Sequence, residues 1–319
     1  MLYIHLMYCL THLNVMLRMH GRKFQSGDMA IMRRFDGKRV AITGAANGLG
    51  LALAKRFAQQ GWRVAMADVQ DEEGEKSLNT LPTLRADAFY SHVDVTKIAD
   101  LKAWKSAIEA RWGGLDILIN NAGVATHGAI DEAPLEDWEW VLNINLMGVV
   151  RGCKVFTPLF KQQHSGHVVN IASMAGLVHS PEMGSYNASK AGVVAVSETL
   201  FGELTGFGVG VTVVCPGFFQ TALAKAARTT HPQVKQAIEK LFATSRLSAD
   251  DIADLIFQGV ENQQFYILPH FSYRMMWWVK RYLPAAYLKS MQSMGKTMFR
   301  KRQKWQAELL REAGTPTEA

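Results

Sequence analysis

The sequence predicts an α/β protein: one doubly wound parallel sheet with helices on both faces, followed by a basic amphipathic helical extension at the C-terminus. Three observations carry this. Short apolar runs alternate with longer amphipathic stretches from Lys38 to Pro269. A glycine-rich turn, TGAANGLG at residues 43–50, closes the first run and opens the first amphipathic stretch. Residues 262–307 carry nine Lys or Arg and no Asp or Glu, set among aromatic and aliphatic residues.

Taken in order, KRVAITG (38–44), RVAMADV (63–69), AFYSHVDV (88–95), LDILINNAG (115–123), HVVNIASMAG (167–176), GVTVVCPG (210–217) and QFYILP (264–269) read as buried strands. Helices are expected near 49–60, 97–112, 135–163, 185–205 and 249–261. Strand, helix, strand, repeated, requires crossover connections and therefore parallel strands. No repeat or low-complexity linker divides this stretch, so 35–269 is expected to be one catalytic domain. Residues 1–34 precede it as an extension expected to be poorly ordered, and 270–319 follow as the tail. Ligands of such sheets bind beyond the carboxyl ends of the strands. The stretch 218–248 follows one such end and is expected to form the substrate lid.

Composition narrows the function. With 319 residues, 48% hydrophobic and 20% charged, the chain has the usage of a folded globular protein. The formal charge of +7 is unevenly placed: the middle is mildly acidic and both ends are basic. That argues for an enzyme core with cationic ends and against a nucleic-acid binder. Cys9, Cys153 and Cys215 are too few and scattered for a disulfide scaffold, so a reducing, cytoplasmic setting is expected. His164 and His167 lack the rest of a zinc-protease helix, and no metal is expected. The first seventeen residues carry no Lys, Arg, Asp or Glu, but without a positive leading segment they do not read as a signal peptide. Met29 or Met32 is the expected start.

In the glycine-rich turn, Gly44, Gly48 and Gly50 remove side chains where the backbone must turn and where a pyrophosphate must approach a helix N-terminus. This is the arrangement of a Rossmann-type dinucleotide site, and Asn47 and Leu49 fall within it. Twenty residues beyond Gly48, Asp68 ends the second strand. A carboxylate there accepts hydrogen bonds from a ribose 2′-hydroxyl and repels a 2′-phosphate, which favours NAD(H) over NADP(H). Asn47 and Val69 offer no compensating cation.

Of the eight tyrosines, Tyr186 alone has a lysine four residues on, in YNASK. On a helix the two share a face, so Lys190 can stabilise a Tyr186 phenolate and make it an acid–base group. Ser173 lies thirteen residues upstream at a strand end. With TGAANGLG, NNAG (120–123), NINLMG (143–148) and PGFFQT (216–221), in this order and spacing, the chain resembles the short-chain dehydrogenase/reductase family over residues 36–270. The resemblance implies Tyr186 as proton donor or acceptor, Lys190 as its pKa-lowering neighbour bonded also to the nicotinamide ribose, Ser173 as hydrogen-bond partner of the substrate oxygen, and Asn145 as holder of a relay water. It also places Asp94 by the adenine, Asn121 and Gly123 along the cofactor and Thr221 at the nicotinamide carboxamide, with Val95, Ala122, Pro216 and Gly217 among the further cofactor-binding residues. It implies a homo-dimer or homo-tetramer as well.

Residues 270–305 suit either a membrane surface, with apolar bodies in the lipid boundary and cationic heads at anionic lipid, or packing on the protein's own domain. Both readings point to a small apolar alcohol or carbonyl compound as substrate: a retinoid, steroid or long-chain alcohol or aldehyde. Phe218, Phe219, Leu223 and Phe242 are expected to line its pocket. Lys225, Arg228 and Lys235 leave a CoA-linked or other polar carbonyl as an alternative. A non-catalytic dinucleotide-sensing or membrane-binding module is the alternative of another class, and the complete Asn145, Ser173, Tyr186, Lys190 set argues against it.

Overall fold

The computed structural model describes residues 35–82, 87–220, 227–230, 240 and 243–313. The extension 1–34, with its expected disorder, and the pocket or cofactor candidates Thr221, Leu223, Lys225, Lys235 and Phe242 lie outside the described residues.

The strands are β1 (Arg39–Thr43), β2 (Arg63–Asp68), β3 (Ala88–His92), β4 (Ile117–Asn120), β5 (Thr126–His127), β6 (Gly166–Ile171), β7 (Val209–Val214), β8 (Arg228–Thr229) and β9 (Tyr266–Ile267). The helices are α1 (Gly48–Gln59), α2 (Asp71–Leu78), α3 (Ile98–Trp112), α4 (Leu135–Asn145), α5 (Met147–Gln163), α6 (Gly184–Thr205), α7 (Ala249–Glu261), α8 (Phe271–Tyr282) and α9 (Pro284–Ala313). Seven strands form one parallel sheet in the order β3-β2-β1-β4-β6-β7-β9. The order reverses at β1, which pairs with both β2 and β4. Such a reversal splays the following loops apart and opens a crevice at the carboxyl ends of the strands. A separate parallel pair, β5 with β8, sits above that end, with Thr126 opposite Arg228.

The sheet is buried on both faces because its strands are apolar at successive positions. Val40, Ile42, Ile117 and Ile119 face α1 and α7, where Leu53, Phe57, Ile252 and Ile256 complete one core. Ala41, Leu118, Val168 and Val211 face the opposite way, toward Trp104, Ile108, Phe156, Phe160 and Val193 of α3, α5 and α6.

Besides the unexpected β5–β8 pair, two local features depart from the sequence expectation. The helix expected over 135–163 is interrupted at Leu146, whose φ of −100° and ψ of −58° begin a second helix. Helix α2 is additional: its first turn, Asp71, Glu72 and Glu73, is polar enough to hide the pattern, though acids there suit the positive end of a helix dipole.

The tail is helical and folds back on the domain. Tyr287 is buried in the second core, Trp277 packs on Tyr266 at 5.5 Å between ring centroids, and the Lys280 ammonium donates to the Leu177 carbonyl at 2.7 Å. Among the described residues no helix is long and apolar enough to cross a membrane.

Candidate active site

The crevice above β1, β4, β6 and β7 holds a cavity of about 780 Å³. One end is the glycine turn. Gly44 has φ +65°, and a Cβ there would lie 2.7 Å from the Ala122 Cα. A Cβ on Gly50 would collide with the Gly44 carbonyl, so α1 can begin this close to the turn only with glycine at that position. Asn47 caps α1 from an extended backbone without a side-chain cap bond, which leaves the first amides of α1 facing the crevice.

The Asp68 carboxylate is buried at the cavity wall, where the N–H groups of Ala46 (3.0 Å), Val69 (2.8 Å) and Gln70 (3.1 Å) donate to it. It therefore pins the glycine turn to β2 and presents a fixed acceptor. At Asp94 burial works to raise the carboxyl, but hydrogen bonds from Thr96 and Lys97 outweigh it and hold the group below its ordinary value. The Asn121 side chain donates to the carbonyls of Thr43 and Gly44, both at 2.9 Å, stitching β4 to β1. Gly48, Leu49, Val95, Ala122, Gly123, Pro216 and Gly217 also line the cavity, while Gly50 packs behind it.

At the other end stand Ser173, Tyr186 and Lys190. Ser173 follows β6, and its Oγ accepts from the Ala175 N–H at 3.1 Å and donates to the Pro216 carbonyl at 3.3 Å. Tyr186 and Lys190 share one face near the start of α6, and the Tyr186 phenol lies in the same cavity as Ser173. Burial pushes the phenol up, and the opposing influence of Ser173 only partly offsets this. Burial pulls Lys190 down to about 8. The upward direction at Tyr186 differs from the lowering that its lysine suggests in the sequence: the dry setting disfavours phenolate and ammonium alike. Lys190 directs its Nζ at the Ile171 carbonyl, 3.0 Å away.

Asn145, fully buried at the end of α4, uses its amide on the loop after β4. Its Oδ1 accepts from the Val124 N–H at 2.8 Å, while Nδ2 donates to the Val124 carbonyl at 2.9 Å and to Ser189 at 3.2 Å. Both N–H groups of that side chain are committed, so the amide is a brace between α4, α6 and the cavity floor.

The wall opposite the glycine turn is apolar and draws on distant parts of the chain: Val178, Met183, Phe218, Met276, Met294 and Met298. Phe218 lies 6.4 Å from Tyr273, centroid to centroid, and Phe219 doubles as core beneath the sheet. Sequence reasoning missed the methionines of α8 and α9, and it missed His270. The Nδ1 of His270 accepts from the Gly217 N–H at 3.0 Å and its Nε2 faces the Phe218 carbonyl at 2.8 Å, fixing the loop after β7. Burial lowers its pKa, against the smaller opposing effect of the Phe218 carbonyl. It also missed Arg302, which reaches from α9 to Glu132 (2.7 Å) and Glu182 (3.0 Å) at the cavity edge.

Comparison with known proteins agrees with this geometry. Residues 38–232 match the short chain dehydrogenase family. A dehydrogenase/reductase of CLA biosynthesis from Lactiplantibacillus plantarum is 36% identical over 261 residues, covering 76% of this chain and 91% of that protein. A C alpha-dehydrogenase from Sphingobium sp. is 31% identical over 254 residues, covering 75% and 82%. Among solved structures, a short chain dehydrogenase/reductase from Burkholderia phymatum in complex with NAD superposes with a TM-score of 0.74 at 35% identity, over 78% of this chain and 94% of that one. The glycine cradle, the fixed Asp68 acceptor and the buried lysine beside a tyrosine all suit a nicotinamide dinucleotide. The chain belongs to the short-chain dehydrogenase/reductase family and is an oxidoreductase that works with a nicotinamide dinucleotide.

Proposed function

We propose that this enzyme interconverts a hydroxyl and a carbonyl on an apolar substrate of the retinoid, steroid or long-chain alcohol class, with NAD(H) preferred over NADP(H). The observation that carries the reading is the composition of one cavity. Its walls run from the glycine turn and Asp68, past Ser173, Tyr186 and Lys190, to a surface of Val178, Met183, Met276, Met294 and Met298.

Gly44, Asn47, Gly48, Leu49 and the α1 N-terminus would hold the pyrophosphate, Asp68 the adenosine ribose, Asp94 and Val95 the adenine. Asn121, Ala122, Gly123, Pro216 and Gly217 would flank the rest, with Gly50 allowing the turn. When bound, the dinucleotide supplies the hydride acceptor or donor. Tyr186 takes the hydroxyl proton in oxidation and returns it in reduction, and Ser173 hydrogen-bonds the substrate oxygen as its charge develops. Lys190, still largely protonated at neutral pH with a pKa of about 8, stabilises the phenolate across the short distance of a helix turn. Asn145 positions the Gly123–Val124 loop and α6 against each other. A relay water, if used, is held by atoms other than its committed side-chain N–H groups.

Two features support the finer preferences. The Asp68 carboxylate already faces the cavity, so a 2′-phosphate would set two anions together there. The guanidinium of Arg228 is engaged with Asp137 at 2.8 Å and lies over the Trp140 ring at 3.8 Å, which weakens the reading of a CoA-linked substrate. Exposed Met147 on α5 and Phe201 on α6 support a homo-dimer or homo-tetramer through those helices. The basic tail supports a peripheral position on a membrane surface in the cytoplasm.

The test is NADH formation by the purified enzyme with alcohols of increasing apolar size, a retinoid and a steroid, with NADP⁺ in parallel. Turnover rising with apolar size and favouring NAD⁺ is expected. Activity confined to short polar alcohols or CoA esters would overturn the substrate reading, and full activity in Tyr186→Phe would overturn the catalytic one.

A further inference from the structure

The two faces of the tail helices do different things. On α8 the inward residues are Tyr273, Met276, Trp277 and Lys280, and on α9 they are Tyr287, Met291, Met294 and Met298, at spacings of three and four that keep them on one side. Met276, Met294 and Met298 reach the cavity itself. The outward side of α8 is also apolar: Phe271, Met275, Trp278 and Tyr282 follow one another at four, three and four residues. Phe271 is 66% exposed, and Leu283, Leu288 and Phe299 are 60% exposed each. Trp278 packs against Tyr282 at 5.0 Å between ring centroids.

Exposed Arg281, Lys289, Lys296 and Arg300 flank this outer ridge. Among the described residues of the tail, Arg302 is the cation with carboxylate partners. An apolar ridge of this extent in water calls for an occupant. A second copy of the same face would set cations against cations, with no acid between residues 262 and 307 to meet them. A nucleic-acid backbone would satisfy the cations and leave Met275, Leu288 and Phe299 wet. An anionic bilayer surface satisfies both, with rings and aliphatic chains in the acyl boundary and ammonium and guanidinium groups at the headgroups.

We propose that the outer face of α8 and α9 docks the enzyme on an anionic membrane surface, and that α9, with cavity-lining methionines on its other side, is the wall along which substrate passes between bilayer and active site. The second half rests on the reading of the substrate as apolar.

The test is flotation of the full chain with phosphatidylcholine vesicles, with and without phosphatidylserine, for the wild type, for Lys289→Glu/Lys296→Glu/Arg300→Glu, and separately for Leu288→Asp/Phe299→Asp. Binding that needs phosphatidylserine is expected, falling at least about a hundredfold in the charge-reversed variant, since the loss of three interfacial cations alone accounts for that much and the three new carboxylates add repulsion. Both variants should turn over a short water-soluble alcohol as the wild type does, while turnover of a long-chain alcohol supplied in anionic vesicles falls in step with binding. Absence of vesicle binding, equal binding to pure phosphatidylcholine, or a wild-type oligomer that either variant dissociates would overturn the docking proposal. Undiminished turnover of the vesicle-held alcohol by the variants would overturn the delivery role. Because flotation needs no turnover, a wild type that binds vesicles but oxidises no alcohol would fail the catalytic reading alone.

Discussion

The Lys190 ammonium lies 5.9 Å from the centroid of the Tyr186 ring, yet its hydrogen bond goes to the Ile171 carbonyl at 3.0 Å. The lysine is thus held beside the phenol by the end of β6, in a site dry enough to lower its pKa from 10.5 to about 8. Between those two values the unfolded chain binds a proton at this residue that the folded chain does not, so stability rises with pH across that window and the cost of the buried charge is fully present below it. That cost is about 3 kcal/mol, against about 2 kcal/mol for the hydrogen bond from the charged ammonium to Ile171. Lys190→Met should therefore abolish turnover and stabilise the fold at pH 7 by about 1 kcal/mol, an advantage that shrinks as the pH rises past 8 and reverses before pH 10.5, where only the lost hydrogen bond remains. Urea unfolding at the two pH values measures this, and a variant less stable at pH 7 would refute it.

Asp68 has two tasks, and a double substitution separates them. As the acceptor of three backbone N–H groups it holds the glycine turn, and in the proposed function it is also the carboxylate on the cavity wall that selects against a 2′-phosphate. Asp68→Ser with Val69→Arg keeps a small acceptor and adds a cation at a neighbouring, 53% exposed position. The ratio of kcat/KM for NADP⁺ to that for NAD⁺ should rise ten- to a hundredfold or more, as a charge-assisted phosphate contact replaces a repulsion. An unchanged ratio in a folded variant would place the adenosine ribose elsewhere.

The parts of this molecule that were legible in its sequence are those whose cause is local. Buried parallel strands need runs such as VAIT and DILIN, and a helix that begins this close to the preceding turn needs glycine at Gly44 and Gly50, so both announce themselves within a few residues. The interruption at Leu146 left no such mark, because no Pro or Gly produces it. What secures Asn145 there is a pair of hydrogen bonds to Val124, twenty-one residues away. The apolar wall of the cavity was still less legible. Met183 and Met298 are joined only by the fold, and their surroundings in sequence read equally well as core or as surface. The tail gave a mixed signal for a physical reason: its two helices are apolar on both sides, so one hydrophobic count contained a buried stripe and an exposed one.

Gly50 offers a test of the cradle that does not depend on any substrate. A Cβ at this position would meet the Gly44 carbonyl and the Ala45 Cα, both backbone, so relief requires α1 to move away from the turn. Gly50→Ala should cost about 1–3 kcal/mol of stability and weaken dinucleotide binding well beyond that of Gly61→Ala, whose Cβ meets nothing within 4 Å but whose φ of +74° imposes a comparable backbone strain. Intrinsic fluorescence titration with NADH compares the two, and equal affinities would dissociate the turn from cofactor binding.

Tyr287 ties the tail to the segment that leads into the active site. It is buried in the core beside Leu177 and Val178, its hydroxyl accepts the His179 N–H at 2.9 Å, and the neighbouring Lys280 donates to the Leu177 carbonyl. Tyr287→Phe leaves one amide without its partner and should cost about 1–3 kcal/mol. Tyr287→Ala adds a cavity and should cost about 3–5 kcal/mol. Neither change touches the glycine turn or Asp68, so NADH affinity should hold in Tyr287→Phe. Loosening of Val178 and α9 should instead raise KM for long-chain substrates above its effect on short ones. Thermal unfolding and the KM series decide the matter together. A stable Tyr287→Ala protein with unaltered KM values would mean that the tail neither braces the fold nor shapes the pocket, whereas an equal rise for short and long substrates would restrict Tyr287 to stability alone.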